Sequence, residues 1–363
     1  MKPLIYYTPG KFEALIGKPD VRIWLGLFRI FNYNVSFCDR TGTIVNPILT
    51  TTPAEIALPD PNPDFNLNFD DCAVSRAEEI YNKHKEFGVP IRLGWSGGID
   101  STAALMSFVK LLGVAETRRC VEVAMTSHGI VENPYTWEKL IRKEKFTVIN
   151  SLEFSEKWDG SEIMVNGECG DQVHGTDIYL TLIRLYGVDG MVLPWTTDNI
   201  LDFIKLTGKL TDRESEILAQ LLINQVKQAP IEITTMADFW WWLNFSCKWG
   251  STCYRIVTKS TQPVNGKYLS NFYFPFYAST NFQLWSMYKR EEKHKGNWSS
   301  YKWRAKDFTC NVLGDDGFQM KHRQGSLVHV LSHTKKFDAI DSDFNFFKDA
   351  DPETWYNPNN SFA

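Results

Sequence analysis

Ser96, Gly97, Gly98, Asp100, Ser101 and Thr102 are a set of residues suited to holding a phosphate. They follow a short apolar run, Ile91 to Trp95, and precede a strongly apolar segment, Ala103 to Leu112. The pattern predicts a turn that joins a buried strand to the start of a buried helix. Adjacent glycines allow tight or positive-φ backbone, so that successive N–H groups converge on an anion. The first-turn amides of the helix lack intrahelical acceptors and point the same way. Hydroxyls at Ser96, Ser101 and Thr102 add donors. Asp100 would repel a phosphate unless Mg²⁺ lay between them, and carboxylate plus phosphate oxygens are the hard ligands that ion prefers. A tight turn in which Asp100 or a serine caps a helix is the plainer reading of the same residues.

A second stretch, Gly167-Glu168-Cys169-Gly170-Asp171-Gln172-Val173-His174-Gly175, follows Ile163-Met164-Val165 and precedes a helix-like Ile178 to Leu185. Asp100 and Asp171 each come just after an apolar strand. In a parallel sheet both would reach the carboxyl edge, where open α/β folds bind their ligands, and the pair is a candidate metal site.

Ser96-Gly97-Gly98-Ile99-Asp100-Ser101 resembles the pyrophosphate loop of the ATP pyrophosphatases, which cut ATP between its α and β phosphates. No Gly-Lys-Ser/Thr follows the glycines, so the loop differs from the Walker A pattern. The second stretch is similar to the Gly-Glu-Gly-Ser-Asp-Glu-Leu-Phe-Gly-Gly segment in the synthetase domain of asparagine synthetase and beta-lactam synthetase. Cys169 replaces a glycine there, Gln172 a glutamate and His174 an aromatic residue. The resemblance implies that Asp100 and Asp171 share Mg²⁺, that Glu168 removes a proton or positions substrate, and that Gly167, Ser127 and His128 lie along the nucleotide. His128 reads equally well as a hydrogen-bonded loop histidine. Tyr301-Lys302-Trp303-Arg304-Ala305-Lys306 and Met320-Lys321-His322-Arg323-Gln324-Gly325-Ser326 look like the family's Lys-x-x-Leu-Arg helix and later basic loop. That likeness places the cation that stabilises the adenylation transition state on Lys321, with Arg323 as its rival; an exposed basic loop is the plainer reading. Phe274-Pro275-Phe276-Tyr277-Ala278 is similar to the family's Val-Pro-Phe-Leu-Asp segment, with Ala278 where the aspartate stands.

The implied activity is ATP-dependent amide formation. A substrate carboxylate is adenylated with loss of pyrophosphate, and an amine then displaces AMP. Two other readings stay open: a nucleic-acid base modifier of the same superfamily, which is not favoured, and a nucleotide-binding protein without turnover. The segment before the loop has Lys2 where the family's N-terminal catalytic cysteine stands, and it is too short for a glutaminase domain. The amine is therefore expected to be free ammonia, a substrate amine, or ammonia from a separate amidotransferase subunit.

The elements that must position these residues read as α/β from Asp70 onward. Cys72 to Phe87 carries a helical stripe at Ala73, Ala77, Ile80 and Tyr81. Val89 to Trp95, Cys120 to Ser127, Phe146 to Leu152 and Glu162 to Asn166 are strand-like, and a helix is expected from Asn133 or Pro134 through Ile141. This alternation predicts a doubly wound, mostly parallel sheet, and the resemblance makes it one of the adenine nucleotide alpha-hydrolase type. The second half is largely helical. Thr211 and Glu214 form a capping-box pattern, and Phe239-Trp240-Trp241-Trp242 reads as a helix wedged into the core, with stacking on a nucleobase or aromatic substrate the less favoured reading.

Residues 1–68 read as a small, mostly β region, with strands at Val21 to Phe28, Tyr33 to Cys38 and Thr43 to Leu49. Residues 69–338 read as the synthetase-like domain, and 339–363 as a tail packed by its aromatics. The 363 residues, 43% hydrophobic, exceed what a single core serves well. A net charge of −4 and pI near 6.0 give no overall pull toward nucleic acid or an anionic membrane. Seven cysteines without a Cys-x-x-Cys pair suit a reducing cytoplasm, and no signal peptide or membrane span is expected.

Overall fold

The structure is a computed structural model, described here for residues 19–31, 38–44, 57–257, 260–262 and 266–314. The chain divides into two compact units. One comprises Leu67–Glu168, Lys259–Phe282 and Trp303–Ala363; the other comprises Met1–Asn66, Cys169–Thr258 and Gln283–Lys302.

The first unit holds a mixed α/β fold around a small parallel sheet. Its strands are β1 (Ile91–Gly94), β2 (Val121–Met125), β3 (Val148–Asn150), β4 (Ile163–Asn166) and β5 (Tyr273–Pro275), in the order β3-β2-β1-β4-β5, all neighbours parallel. Winding thus reverses between β1 and β4. Ile91, Leu93, Ile163 and Val165 have no exposed surface, as expected of strands covered on both faces. Arg92 fixes the register of three strands at once, pairing with Glu122 at 2.8 Å and Glu162 at 2.6 Å.

Local signals set the helix bounds. In the Phe69–Phe87 helix, Asn68 and Asp71 form a capping box and Gly88, at φ +68°, ends it. Its buried stripe includes Cys72, Ala73, Ala77 and Ile80, and it packs with the Trp303–Leu313 helix against the long Ile99–Cys120 helix. Two expected strands are shorter than the apolar runs. Ser127 opens the Ser127–Glu132 helix, and Asn150 accepts from the Leu152 and Glu153 amides to start the Ser151–Lys157 helix. The helix expected near Asn133 forms as Pro134–Thr136 followed by a π-helical turn, Trp137–Arg142. Pro275 is accommodated because β5 lies at a sheet edge. The carbonyls of Pro275 and Phe276 accept from the buried Arg76 guanidinium at 3.0 and 3.2 Å.

The second unit is helical among its described residues. The expected strand at Val21 to Phe28 is instead part of the Pro19–Ile30 helix. Val21, Ile23, Trp24, Leu25 and Leu27 are all buried, so burial overrides a run whose pattern does not separate strand from helix. Gly26 has a packing reason to sit within that helix, because a Cβ there would lie 2.6 Å from Leu210 Cδ1. The expected strands at Tyr33 to Cys38 and Thr43 to Leu49 lie mostly outside the described residues, and the 339–363 tail lies wholly outside.

The Asp212–Val226 and Met236–Cys247 helices begin with capping boxes, Thr211 with Glu214 and Thr235 with Asp238. Every residue of the Met236–Cys247 helix is buried, so the tryptophans are core. Trp241 Nε1 donates to Gln172 O at 3.0 Å and to Ser286 Oγ at 3.2 Å, satisfying its polar edge. No helix among the described residues is long and apolar enough to cross a membrane.

Candidate functional site

The Ser96–Thr102 loop leaves β1 and enters the Ile99–Cys120 helix, as its sequence predicts. Ser101 Oγ accepts from the Ser96 amide and donates to Gly98 O, each at 3.1 Å. Ser96 Oγ accepts from the Gly98 amide at 3.3 Å. Thr102 Oγ1 accepts from Trp95 Nε1 at 3.0 Å and donates to Gly97 O at 3.3 Å. Ser101 and Thr102 are buried, so their hydroxyls hold the loop's shape, while Ser96 is exposed. The helix opens with Thr102 N–H bonded to Gly98 O at 3.0 Å, and no side chain caps it at Gly98. An uncapped helix start beside a glycine turn is suited to receive an anion.

Only glycine fits at position 97. Its φ is +86°, and a Cβ would stand 2.4 Å from Gly129 O and 2.9 Å from Glu132 Cβ. The close approach comes from the Ser127–Glu132 helix, which follows β2 and packs its Gly129 against the Trp95 ring. Ser127 in this helix is 2% exposed, and its Oγ has no hydrogen-bond partner among the described residues. His128 is half-buried.

The third strand end adds acidity. Gly167 follows β4, and a Cβ there would lie 3.0 Å from the Ser101 amide nitrogen and 3.3 Å from Asp100 Cβ. Glycine therefore lets the chain cross closely over the helix start, carrying Glu168 to the Asp100 end. The Glu168 amide is held by Asn166 Oδ1 at 3.0 Å, and Asn166 Nδ2 donates to Tyr273 Oη on β5 at 3.2 Å. Tyr277, just beyond β5, donates from Oη to Asp100 O at 3.1 Å. Ser96 to Thr102, Ser127, His128, Gly167 and Glu168 thus collect at the carboxyl ends of β1, β2 and β4, beside the reversal of strand order.

Asp171 belongs to the helical unit. It lies in the Gly170–His174 helix, where its carboxylate meets Lys302 Nζ at 2.7 Å and Tyr301 Oη at 3.1 Å. Desolvation opposes its ionisation, but Lys302, reinforced by Lys248 and the Tyr301 hydrogen bond, holds the carboxyl well below the usual range. Lys302 is buried while the Asp171 side chain is 58% exposed, so water screens part of this attraction.

The neighbouring departures from the family segment have structural accounts. Cys169 stands at φ +67°, the left-handed region that explains a glycine there in the similar segment. Buried Gln172 donates to Asn244 Oδ1 at 3.2 Å and ties the short helix to the tryptophan helix. His174 Nδ1 meets Gly170 O at 3.0 Å, and burial, with Lys302 adding, lowers its pKa to about 3.

Glu132 and Tyr277 are the loop neighbours that sequence reasoning missed. Glu132 Oε1 lies 3.3 Å from where a Gly98 Cβ would be, a further carboxylate against the loop. Its place four residues after His128, beyond β2, is the one signal that could have found it. Lys321 and Arg323 lie outside the described residues. Among those residues, no cluster of three or more His, Cys, Asp or Glu side chains is arranged to hold a metal. No family model, curated protein or solved structure matches the chain.

Proposed function

We propose that the chain is an ATP-dependent, AMP-forming amide ligase built on a sheet of the adenine nucleotide alpha-hydrolase type. The observation that carries this reading is the Ser96–Thr102 loop. A positive-φ glycine and an uncapped helix start stand together at the carboxyl edge of the central strand, beside the switch in strand order. That is where open parallel sheets take nucleotides. The sequence of the loop resembles one that holds pyrophosphate.

In this reading the amides of Gly98 to Ser101 and the exposed Ser96 hydroxyl bind the β and γ phosphates, and Ser127 and His128 border the nucleoside. A substrate carboxylate oxygen attacks the α-phosphorus, and the bond to the bridging oxygen breaks as pyrophosphate leaves. The amine then attacks the acyl carbon, giving the amide and AMP, with Glu168 taking the proton. Fixed positive charge is needed as charge gathers on the phosphates, a role that the resemblance gives to Lys321 or Arg323.

Asp100 suits Mg²⁺ by the chemistry of its donors, since one or two carboxylates with phosphate oxygens and water complete that ion's preferred shell. Bound there, the ion would neutralise phosphate charge. Asp171, the second carboxylate the resemblance implies, is paired with Lys302 within its own unit.

The experiment is oxygen transfer. With an ¹⁸O-labelled carboxylate substrate, candidate amines and ATP, one label should appear in AMP as the amide forms. AMP without label in the presence of amide would overturn carboxylate adenylation.

A further inference from the structure

A cavity in the helical unit has no part in the nucleotide reading. It opens to solvent with a volume of about 380 Å³, and its lining includes Lys293, Trp241, Tyr288, Arg290, Asp238 and Glu232. Lys293 is 1% exposed, yet its Nζ makes no hydrogen bond or ion pair with any described residue. It instead stands 3.1 Å from the centre of the Trp241 ring. A buried amine without an acceptor is costly as an ammonium ion, a cost that the Trp241 ring face offsets only in part. Burial, helped by Arg290 and opposed by Asp238 and Glu291, lowers its pKa to about 7. Among the described residues, Glu232, His174 and His294 are further titratable groups beside it.

Two further groups fit the same chemistry. Tyr288 Oη is buried and has no hydrogen-bond partner among the described residues. Arg290 is 42% exposed; its Nη2 pairs with Asp238 at 2.8 Å, and its Nη1 donates to Thr234 Oγ1 at 2.8 Å. The cavity lining therefore includes an amine, a phenol and a partly exposed guanidinium, which also donates to Thr235 Oγ1 at 3.1 Å. An amine adds to a carbonyl, a phenol can protonate the departing oxygen, and a guanidinium holds a carboxylate.

We infer that this cavity binds a small 2-oxo acid, its carboxylate on Arg290 and its carbonyl carbon joined to Lys293 as an imine. The step balances without another reagent: the C–N bond forms, the carbonyl oxygen leaves as water with both amine protons, and no electrons are transferred to an acceptor.

Glyoxylate and sodium cyanoborohydride test the assignment on the full chain at pH 7. The reagent delivers hydride to the imine carbon and solvent protonates nitrogen, leaving N-carboxymethyl-lysine for peptide mapping. Lys293 should be modified at least about ten-fold faster than exposed Lys157 in the same molecules, because the Glu153 hydrogen bond raises the Lys157 pKa and keeps that amine protonated. Raising the pH to 9 should narrow that preference. Arg290→Gln, which also removes a charge that lowers the Lys293 pKa, should slow modification of Lys293 by glyoxylate several-fold more than by formaldehyde, which has no carboxylate. Labelling that merely follows exposure would overturn the reactive amine, and equal loss with both reagents would overturn the carboxylate anchor. The comparison within wild-type molecules holds even where Lys293→Met fails to fold.

Discussion

Tyr277 Oη donates to the backbone carbonyl of Asp100 at 3.1 Å, joining the segment after β5 to the first turn of the loop helix. Tyr277 is fully buried, so removing its hydroxyl deletes a buried hydrogen bond to the loop helix. Tyr277→Phe should lower stability by about 1 kcal/mol. It should also weaken ATP binding several-fold. Urea unfolding and calorimetric titration read the two effects; a stability loss with ordinary ATP affinity would show that the bond supports the fold and not the site.

Gly97→Ala should abolish nucleotide binding with a smaller effect on far-ultraviolet circular dichroism. Its Cβ would meet Gly129 O in a backbone conformation that disfavours alanine. Normal ATP affinity in this variant would remove the loop from the binding site.

Four of the five strands were legible because each is a short apolar run bounded by turn or capping residues, as at Gly88 and Asn150, whereas β5 is only three residues long and ends in Pro275, so no strand was expected there. The loop was legible for a local reason, since successive residues of one turn make the cradle. Glu132 and Tyr277 reach it from segments distant in sequence, and no periodicity announces such an approach. Nor did pattern separate strand from helix at Val21 to Phe28, where nearly every residue is apolar and packing decides. Lys302 was visible as part of the stretch similar to the family's Lys-x-x-Leu-Arg helix, but its pairing with Asp171 spans too many residues for spacing to disclose.

Trp240 has no exposed surface and packs its ring against Phe203 and Phe239. Trp240→Ala should cost about 3–5 kcal/mol, the range for an aromatic side chain lost from a close-packed core. The urea midpoint measures this. A shift equivalent to less than about 1 kcal/mol would contradict a core role for the tryptophan helix.

His174 and His294 give stability an acid limb. Burial lowers their pKa to about 3 and about 4, below the unfolded value of 6.5. Between those limits the unfolded chain binds protons that the native state refuses. Their contribution is therefore present above pH 6.5 and is lost as pH falls toward 3–4, at up to about 1.4 kcal/mol per pH unit for each histidine. Thermal midpoints from pH 7.5 to 4.5 should fall accordingly. His174→Phe, which restores the aromatic of the similar segment, should flatten the slope; an unchanged slope in that variant would show that His174 is not a source of it.

The central claim is cleavage of ATP between its α and β phosphates at the Ser96–Thr102 loop. It is tested most directly by resolving the nucleotide products formed with ATP, Mg²⁺ and a panel of carboxylates and amines, for the wild type and Asp100→Asn. AMP and pyrophosphate in equal amounts, lost in Asp100→Asn without loss of fold, is the predicted result. ADP and orthophosphate as the coupled products, or AMP formed equally by both proteins, would contradict it.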